Sequence, residues 1–215
     1  KRMKKVGFNI FTIGVESFNN KTLGKYNKKP MINAMLTPEQ RTEKRDLSDV
    51  YFECVQLAID KVQRHGILVM GDYILGSLGE SEEDVRKGFE KFSSLKGLLL
   101  AYIPAFTPFP GTALWKESYD SGRIARLPDG GIDWSRFDAS AGALDLGYDV
   151  GKLRNELELS FYTSQRYLDD MFEMLKNCPE RKAMFAGRFK RLQEVFGGNE
   201  VVDVVLERLG KNDEA

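Results

Sequence analysis

The chain has 215 residues, 42% of them apolar and 30% charged, and its 32 Lys and Arg are matched by 32 Asp and Glu. That length supports one domain, or one domain with a small appendage, and a zero net charge leaves no overall field drawing the molecule to nucleic acid or anionic lipid. No apolar run approaches the ~20 residues that span a bilayer, no initiator Met or apolar leader opens the chain, and its two cysteines, Cys54 and Cys178, form neither a disulfide framework nor a metal knuckle, so a reducing cytoplasm is the expected location.

The first residues, Lys1 to Phe8, read as a helix end, a Gly stop at Gly7 and the start of a strand, an opening expected of a fragment. Phe8 to Val15 is a short apolar run with β-branched members, closed by polar Glu16-Ser17-Phe18-Asn19-Asn20, and predicts a buried strand with a polar loop at its C-terminal end. A long polar stretch follows, and Thr37-Pro38-Glu39-Gln40 has the form of a capping box opening a helix. That helix places Leu47, Val50, Tyr51, Cys54, Leu57, Ala58 and Val62 on one face and stops at His65-Gly66. Ile67 to Leu75 is the second predicted strand, and Ser81 with the acids at 82 to 84 starts a helix whose apolar stripe is Val85, Phe89, Phe92 and Leu95. Leu98 to Phe106 is the third strand, followed by Thr107-Pro108-Phe109-Pro110-Gly111-Thr112 and a short helix to Gly122.

Strands that alternate with helices and are apolar on both faces predict a parallel sheet covered by helices, with ligands at the C-terminal rim of the strands. Residues 1 to 125 therefore form an α/β domain. From 126 to 215 the chain reads as a turn-rich connector and then a helical region. One amphipathic helix is expected over Leu153, Leu157, Phe161, Ser164, Leu168, Met171 and Leu175, a second over Met184 to Phe196, and a last one over Val201 to Leu209.

Three strand tips carry candidate chemistry. Alternation from Phe11, Ile13 and Val15 turns Thr12, Gly14 and Glu16 to the opposite face, where Glu16 and Ser17 suit a ribose hydroxyl pair or an ammonium; a Glu paired with a nearby Lys or Arg fits the same position. Gly76 and Gly79, after Ile74, allow close approach of a flat ligand, and they equally suit a plain strand-to-helix turn. The two prolines and the glycine of residues 107 to 112 make a rigid loop, with Thr112 placed to cap the next helix. Trp115 and Trp134 read as packing rather than cavity lining, and Cys54 as core.

Taken in order, Gly14-Val15-Glu16-Ser17 with Leu23 and Asn27-Lys28, then Ile74-x-Gly76-x-x-Gly79-Glu80, then Thr107 to Thr112 as TPFPGT resemble radical S-adenosylmethionine (radical SAM) enzymes. The likeness is greatest to the branch that often carries a cobalamin-binding domain, and it covers roughly Val6 to Asp138. The resemblance implies strands four to six of a six-stranded core, a partial (β/α) barrel, with a helical C-terminal region. It implies S-adenosylmethionine contacts from Glu16 and Ser17 to the ribose or methionyl part, from Ile74 and Gly76 to the adenine face, and from the backbone of Ile103 to Ala105 to the adenine edge. Glu80 is assigned a structural role. Asp72 departs from the pattern, since the family often has Gly there.

The Cys-x-x-x-Cys-x-x-Cys loop that holds the [4Fe–4S] cluster is absent from this sequence, as is the Gly-rich segment for the SAM amino group. Without thiolates there is no cluster and no 5′-deoxyadenosyl radical, so this chain alone is expected to be inactive, with the N-terminal half of the barrel as its first partner. The intact enzyme would also need an organic substrate and an electron donor such as flavodoxin or ferredoxin, with cobalamin as a further cofactor of that branch; neither membrane nor nucleic acid is expected as a partner. A non-catalytic α/β module that completes a barrel with another chain, and a (β/α) enzyme that uses no SAM, are the alternatives. Three strands alone leave two raw sheet edges, which predicts poor solubility.

Overall fold

The computed structural model describes residues 2–38 and 45–210, arranged as two compact units, Lys1–Glu158 and Leu159–Ala215. In the first unit, β1 (Ile10–Glu16), β2 (Leu68–Tyr73) and β3 (Leu100–Tyr102) form a wholly parallel three-stranded sheet in the order β1-β2-β3. The sheet is open, not a closed barrel. All three strands are shorter than their apolar runs, and β3 most of all, at three residues. Beyond β2 and β3 a single bridge, Leu75 to Ala105, continues the ladder.

The face carrying Val15, Val69, Gly71 and Tyr73 is buried under α4 (Leu47–Gln63) and α5 (Glu82–Ser94). Gly71 is required here: a Cβ would stand 2.9 Å from the Phe92 ring. The α5 expectation holds in detail, with Ser81 and Asp84 forming a capping box and Val85, Phe89, Phe92 and Leu95 buried. In α4 the buried stripe is Val50, Tyr51, Cys54, Val55 and Ile59, whereas Leu57, expected on that face, is 54% exposed. The 3.6-residue period, counted from Tyr51, reaches Val55 and Ile59 and carries Leu57 round to solvent. α4 starts at Leu47 behind Asp46, whose carboxylate accepts from the Ser48 and Asp49 N–H groups. The capping box read at Thr37 needs Gln40, which lies outside the described residues. Before it, α2 (Asn20–Lys25) and α3 (Lys29–Met35) fill the stretch read as polar loop, with Pro30 in the first turn of α3.

After α6 (Ala113–Asp120), capped by Thr112, the connector folds back into the first unit. Residues 123–126 pair antiparallel with 132 and 144, and Phe106, Ile124 and Leu144 form a small core. These pairings carry the first unit past the change at 125, through the start of α7 (Val150–Thr163). The long helix expected from Leu153 to Leu175 is two helices, because the Ser164 hydroxyl accepts from the Tyr167 N–H and caps α8 (Gln165–Asn177). The second unit adds α9 (Lys182–Phe196) and α10 (Glu200–Gly210), around buried Phe161, Tyr162, Tyr167, Phe185 and Phe189. A short α1 (Arg2–Lys5) precedes the sheet. Among the described residues no helix is long and apolar enough to cross a membrane.

Candidate functional site

At the C-terminal ends of the three strands lies a hollow of about 690 Å³, lined by Glu16, Tyr26, Lys28, Ile74, Tyr102, Ala105, Phe106 and Phe109 among others. It is within the ~300–1,000 Å³ range of small-molecule sites. Its shape follows from the backbone of β1. Between Gly14 and Glu16 the register with β2 slips, leaving Val15 without a partner on β2. Glu16 then takes a φ of +71°, and the Ser17 N–H donates to the Val15 carbonyl at 2.9 Å, a γ-turn of the rare, strained hand. The turn is held from both sides: the Ile74 N–H donates to the Glu16 carbonyl at 2.9 Å, and the Tyr51 hydroxyl donates to the carbonyls of Gly14 and Val15 at 3.2 and 3.1 Å.

The turn aims the Glu16 carboxylate back over Gly14, where a Cβ would stand 2.4 Å from Oε1. A bare backbone at position 14 is what lets the carboxylate lie there. Lys28 Nζ completes the arrangement, donating to the Gly14 carbonyl at 2.7 Å and meeting Glu16 Oε1 at 3.4 Å. So Glu16 is both a lining residue of the hollow and one half of a Glu–Lys pair; the two roles left open by the sequence coexist.

Asp72 sits on the same sheet face, between Gly14 of β1 and Tyr102 of β3. Its Oδ1 is buried and has no hydrogen-bond partner among the described residues. Burial, reinforced by the neighbouring Glu16 carboxylate and only partly relieved by Lys28, holds the Asp72 carboxyl above the usual range. Burial likewise pushes the Tyr26 and Tyr51 phenols up, so both stay protonated donors near neutral pH.

Of the six residues singled out from the sequence, Glu16, Ile74 and Ala105 line the hollow. Ser17, Gly76 and Ile103 do not. Ser17 is fully buried, and its hydroxyl donates to Glu80 Oε1 at 3.2 Å while accepting from the Asn19 N–H. Gly76, at a φ of +73°, makes room for the 146–150 segment: a Cβ would meet Val150 Cγ2 at 3.0 Å and Leu146 Cδ1 at 3.3 Å. The Ile103 carbonyl accepts from Arg154 Nε at 2.7 Å. The Pro104 carbonyl accepts from the Leu75 N–H, and the Ala105 N–H donates to the Ala139 carbonyl at 2.7 Å. These backbone groups at 103 to 105 are thus engaged within the chain, and of the three predicted positions only Ala105 lines the hollow.

Glu80 is a hub beneath the site. Its Oε1 accepts from Ser17 and, at 2.6 Å, from the Thr22 hydroxyl, and Oε2 accepts from the Ser77 N–H at 3.1 Å. It ties its loop to the one after β1. Tyr26 and Lys28 line the hollow without having been assigned from the sequence, where Asn27-Lys28 is visible only as a motif match; Asp72, a departure from the motif, lies on the same sheet face but is not among the lining residues. A second open cleft of about 660 Å³ lies on the helical side of the unit, lined by Asn19, Lys21, Asp84, Lys87 and Lys91, and contains none of the six.

Among the described residues, no group of three or more His, Cys, Asp or Glu is placed to hold a metal ion. Cys54 is buried on α4 and Cys178 caps the end of α8, so the thiols of this chain do not fit a [4Fe–4S] cluster.

No known protein-family model matches the chain. Over 178 residues it is 23% identical to a protein described as an uncharacterized methyltransferase of Pyrococcus horikoshii, a match that takes in 80% of this chain and 33% of that protein. The chain thus spans about a third of the length of the curated relative it matches.

Proposed function

We propose that residues 1–125 are strands four to six of a six-stranded radical SAM core, a partial (β/α) barrel, and that the hollow at their tips cradles the adenosyl group of S-adenosylmethionine. The observation that carries the reading is convergence: Glu16 and Ile74, from two separate motifs, and Ala105, from the strand that leads into the third, line one hollow of suitable size. Ile74 and Ala105 offer an apolar wall for the adenine, with the stacked rings of Tyr26 and Phe106 beside it. Glu16, fixed by its γ-turn and by Lys28, accepts from a ribose hydroxyl. The relative described as a methyltransferase agrees with a SAM-type ligand, since methyl transfer commonly draws on that donor.

S-adenosylmethionine, once bound, supplies an alkyl sulfonium whose cleavage yields a reactive carbon fragment. This chain's residues bind and orient the nucleoside end and keep water from it. They cannot hold the cluster, and no cleavage step is assigned to them. A cluster-bearing barrel half, an organic substrate, and flavodoxin or ferredoxin as electron donor complete the proposed enzyme, in the cytoplasm, with cobalamin as a cofactor of that branch.

The free edge of β1 also favours a second reading, a binding module that completes a barrel with another chain. Phe8 and Ile10 beside that edge are 51% and 43% exposed. One experiment separates the two. A longer protein carrying the Cys-x-x-x-Cys-x-x-Cys loop should, after anaerobic reconstitution, show the brown cluster absorption and consume S-adenosylmethionine, and Glu16→Ala should weaken SAM binding. A reconstituted protein indifferent to Glu16→Ala removes the adenosyl assignment.

A further inference from the structure

On α10 of the second unit, Glu200, Val204 and Arg208 stand four residues apart and so share one stripe of the helix, with Val201 beside it. Val202, Val205 and Leu209 turn into the core, which leaves that stripe outward: all four of its residues are exposed, Val204 by 57%. A groove of about 300 Å³ runs between the stripe and α8, where it is lined by half-buried Leu168 and Phe172. Asp203, on the other flank, accepts from Gln193 Nε2 of α9 at 2.7 Å.

The ends of the stripe carry opposite charges, roughly 12 Å apart along the helix axis. Among the described residues neither Glu200 nor Arg208 forms an ion pair, whereas on α8 Arg166 pairs with Asp170 at 3.2 Å and Lys176 with Glu173 at 2.7 Å. Arg208 is nonetheless held in place, its guanidinium carbon 3.6 Å from the centroid of the Phe172 ring. A stacked guanidinium keeps its N–H edge open to a carboxylate and has already given up side-chain freedom. An acid, a valine and a base, evenly spaced, are their own complement in reverse. In an antiparallel helix pair with its two-fold axis at Val204, Val204 meets Val204 and each Glu200 meets Arg208 of the second copy.

We propose that this face of α10 is a homodimer interface, an isologous antiparallel pairing with α10 of a second copy, closed at its centre by Val204 and at both ends by Glu200–Arg208 pairs. A single helix pair is smaller than a standard interface, so the dimer is a weak one, populated at roughly 100 μM chain. The surface belongs to the second unit and is independent of the adenosyl hollow.

Sedimentation equilibrium of the 215-residue chain, from about 1 to 300 μM, reads the association directly. The expected result is a concentration-dependent dimer, weakened about tenfold or more in each of Val204→Glu, Glu200→Arg and Arg208→Glu, since every one of them sets like charges against each other. Mixing Glu200→Arg with Arg208→Glu places opposite charges at both ends again. The mixture should recover the wild-type association, which also shows that both variants are folded. A chain still monomeric at the highest concentration, a dimer indifferent to Val204→Glu (one formed through the β1 edge, for example), or a mixture that associates no better than either charge variant alone overturns the proposal.

Discussion

Replacing Glu80 by Ala removes the acceptor shared by two hydroxyls and a backbone N–H in a place only 7% exposed. Leaving a buried donor unpaired costs about 1–3 kcal/mol. The Ser77 N–H cannot turn away, whereas the hydroxyls of Ser17 and Thr22 can rotate to other partners and recover part of the loss. Removing a carboxylate that burial already disfavours returns a further part. The net expectation is a loss of roughly 3 kcal/mol for Glu80→Ala and about 1 kcal/mol for Glu80→Gln, which keeps one oxygen in place. Trp115 and Trp134 both lie in the first unit and stack at 5.7 Å, so their fluorescence reports urea unfolding of that unit. With a slope of about 1–3 kcal/mol per molar, Glu80→Ala should lower the urea midpoint by roughly 1–3 M.

The pH dependence gives the same residue an independent check. Burial holds the folded Glu80 carboxyl above its unfolded value, so its contribution is fully present below the unfolded pKa and is lost as pH rises through the folded one. Glu80→Gln should therefore approach wild-type stability more closely near pH 7 than near pH 4. A Glu80→Ala midpoint within about 0.3 M of wild type would refute the hub.

Gly14→Ala should change stability by less than about 1 kcal/mol, since its Cβ meets only the movable end of Glu16, yet weaken S-adenosylmethionine binding by displacing that carboxylate; isothermal titration beside urea melts checks both halves. Asp72→Asn should gain stability relative to wild type as pH rises from 4 to 7, because the raised Asp72 carboxyl makes ionisation unfavourable to folding; thermal melts across that range showing a relative loss would reverse the sign. Ser164→Ala should cost about 1 kcal/mol in the second unit by removing the cap of α8, read as lost helical signal at lower denaturant.

The three strands and the helix caps at Ser81 and Thr112 were legible because they rest on local rules: alternation, apolar runs, and a hydroxyl ahead of acids or an aromatic. Glu16 was legible as the polar tip of a strand, since parallel strands deliver their ends to one rim, whereas Ile74 and Ala105 followed only from the family resemblance. What escaped depends on partners far along the chain. Ser17 looked like a ligand group next to Glu16, but Glu80, distant in sequence, claims its hydroxyl. Gly76 looked like space for a flat ligand, and that space is filled by Val150. The γ-turn at Glu16 leaves no local trace, because its φ of +71° is enforced by Tyr51 and by the slipped register with β2. The break at Ser164 was overlooked because the apolar spacing of α7 runs on in phase into α8, and only the cap marks the join.

The account turns on whether one hollow receives the nucleoside. Titrating 5′-deoxyadenosine into the chain and mapping the amide shifts tests this most directly. The expected outcome is saturable binding with the largest shifts at Glu16, Lys28, Ile74 and Ala105, abolished or much reduced in Glu16→Ala. Shifts confined to the cleft at Asn19, Lys87 and Lys91, or no binding at all, would contradict it.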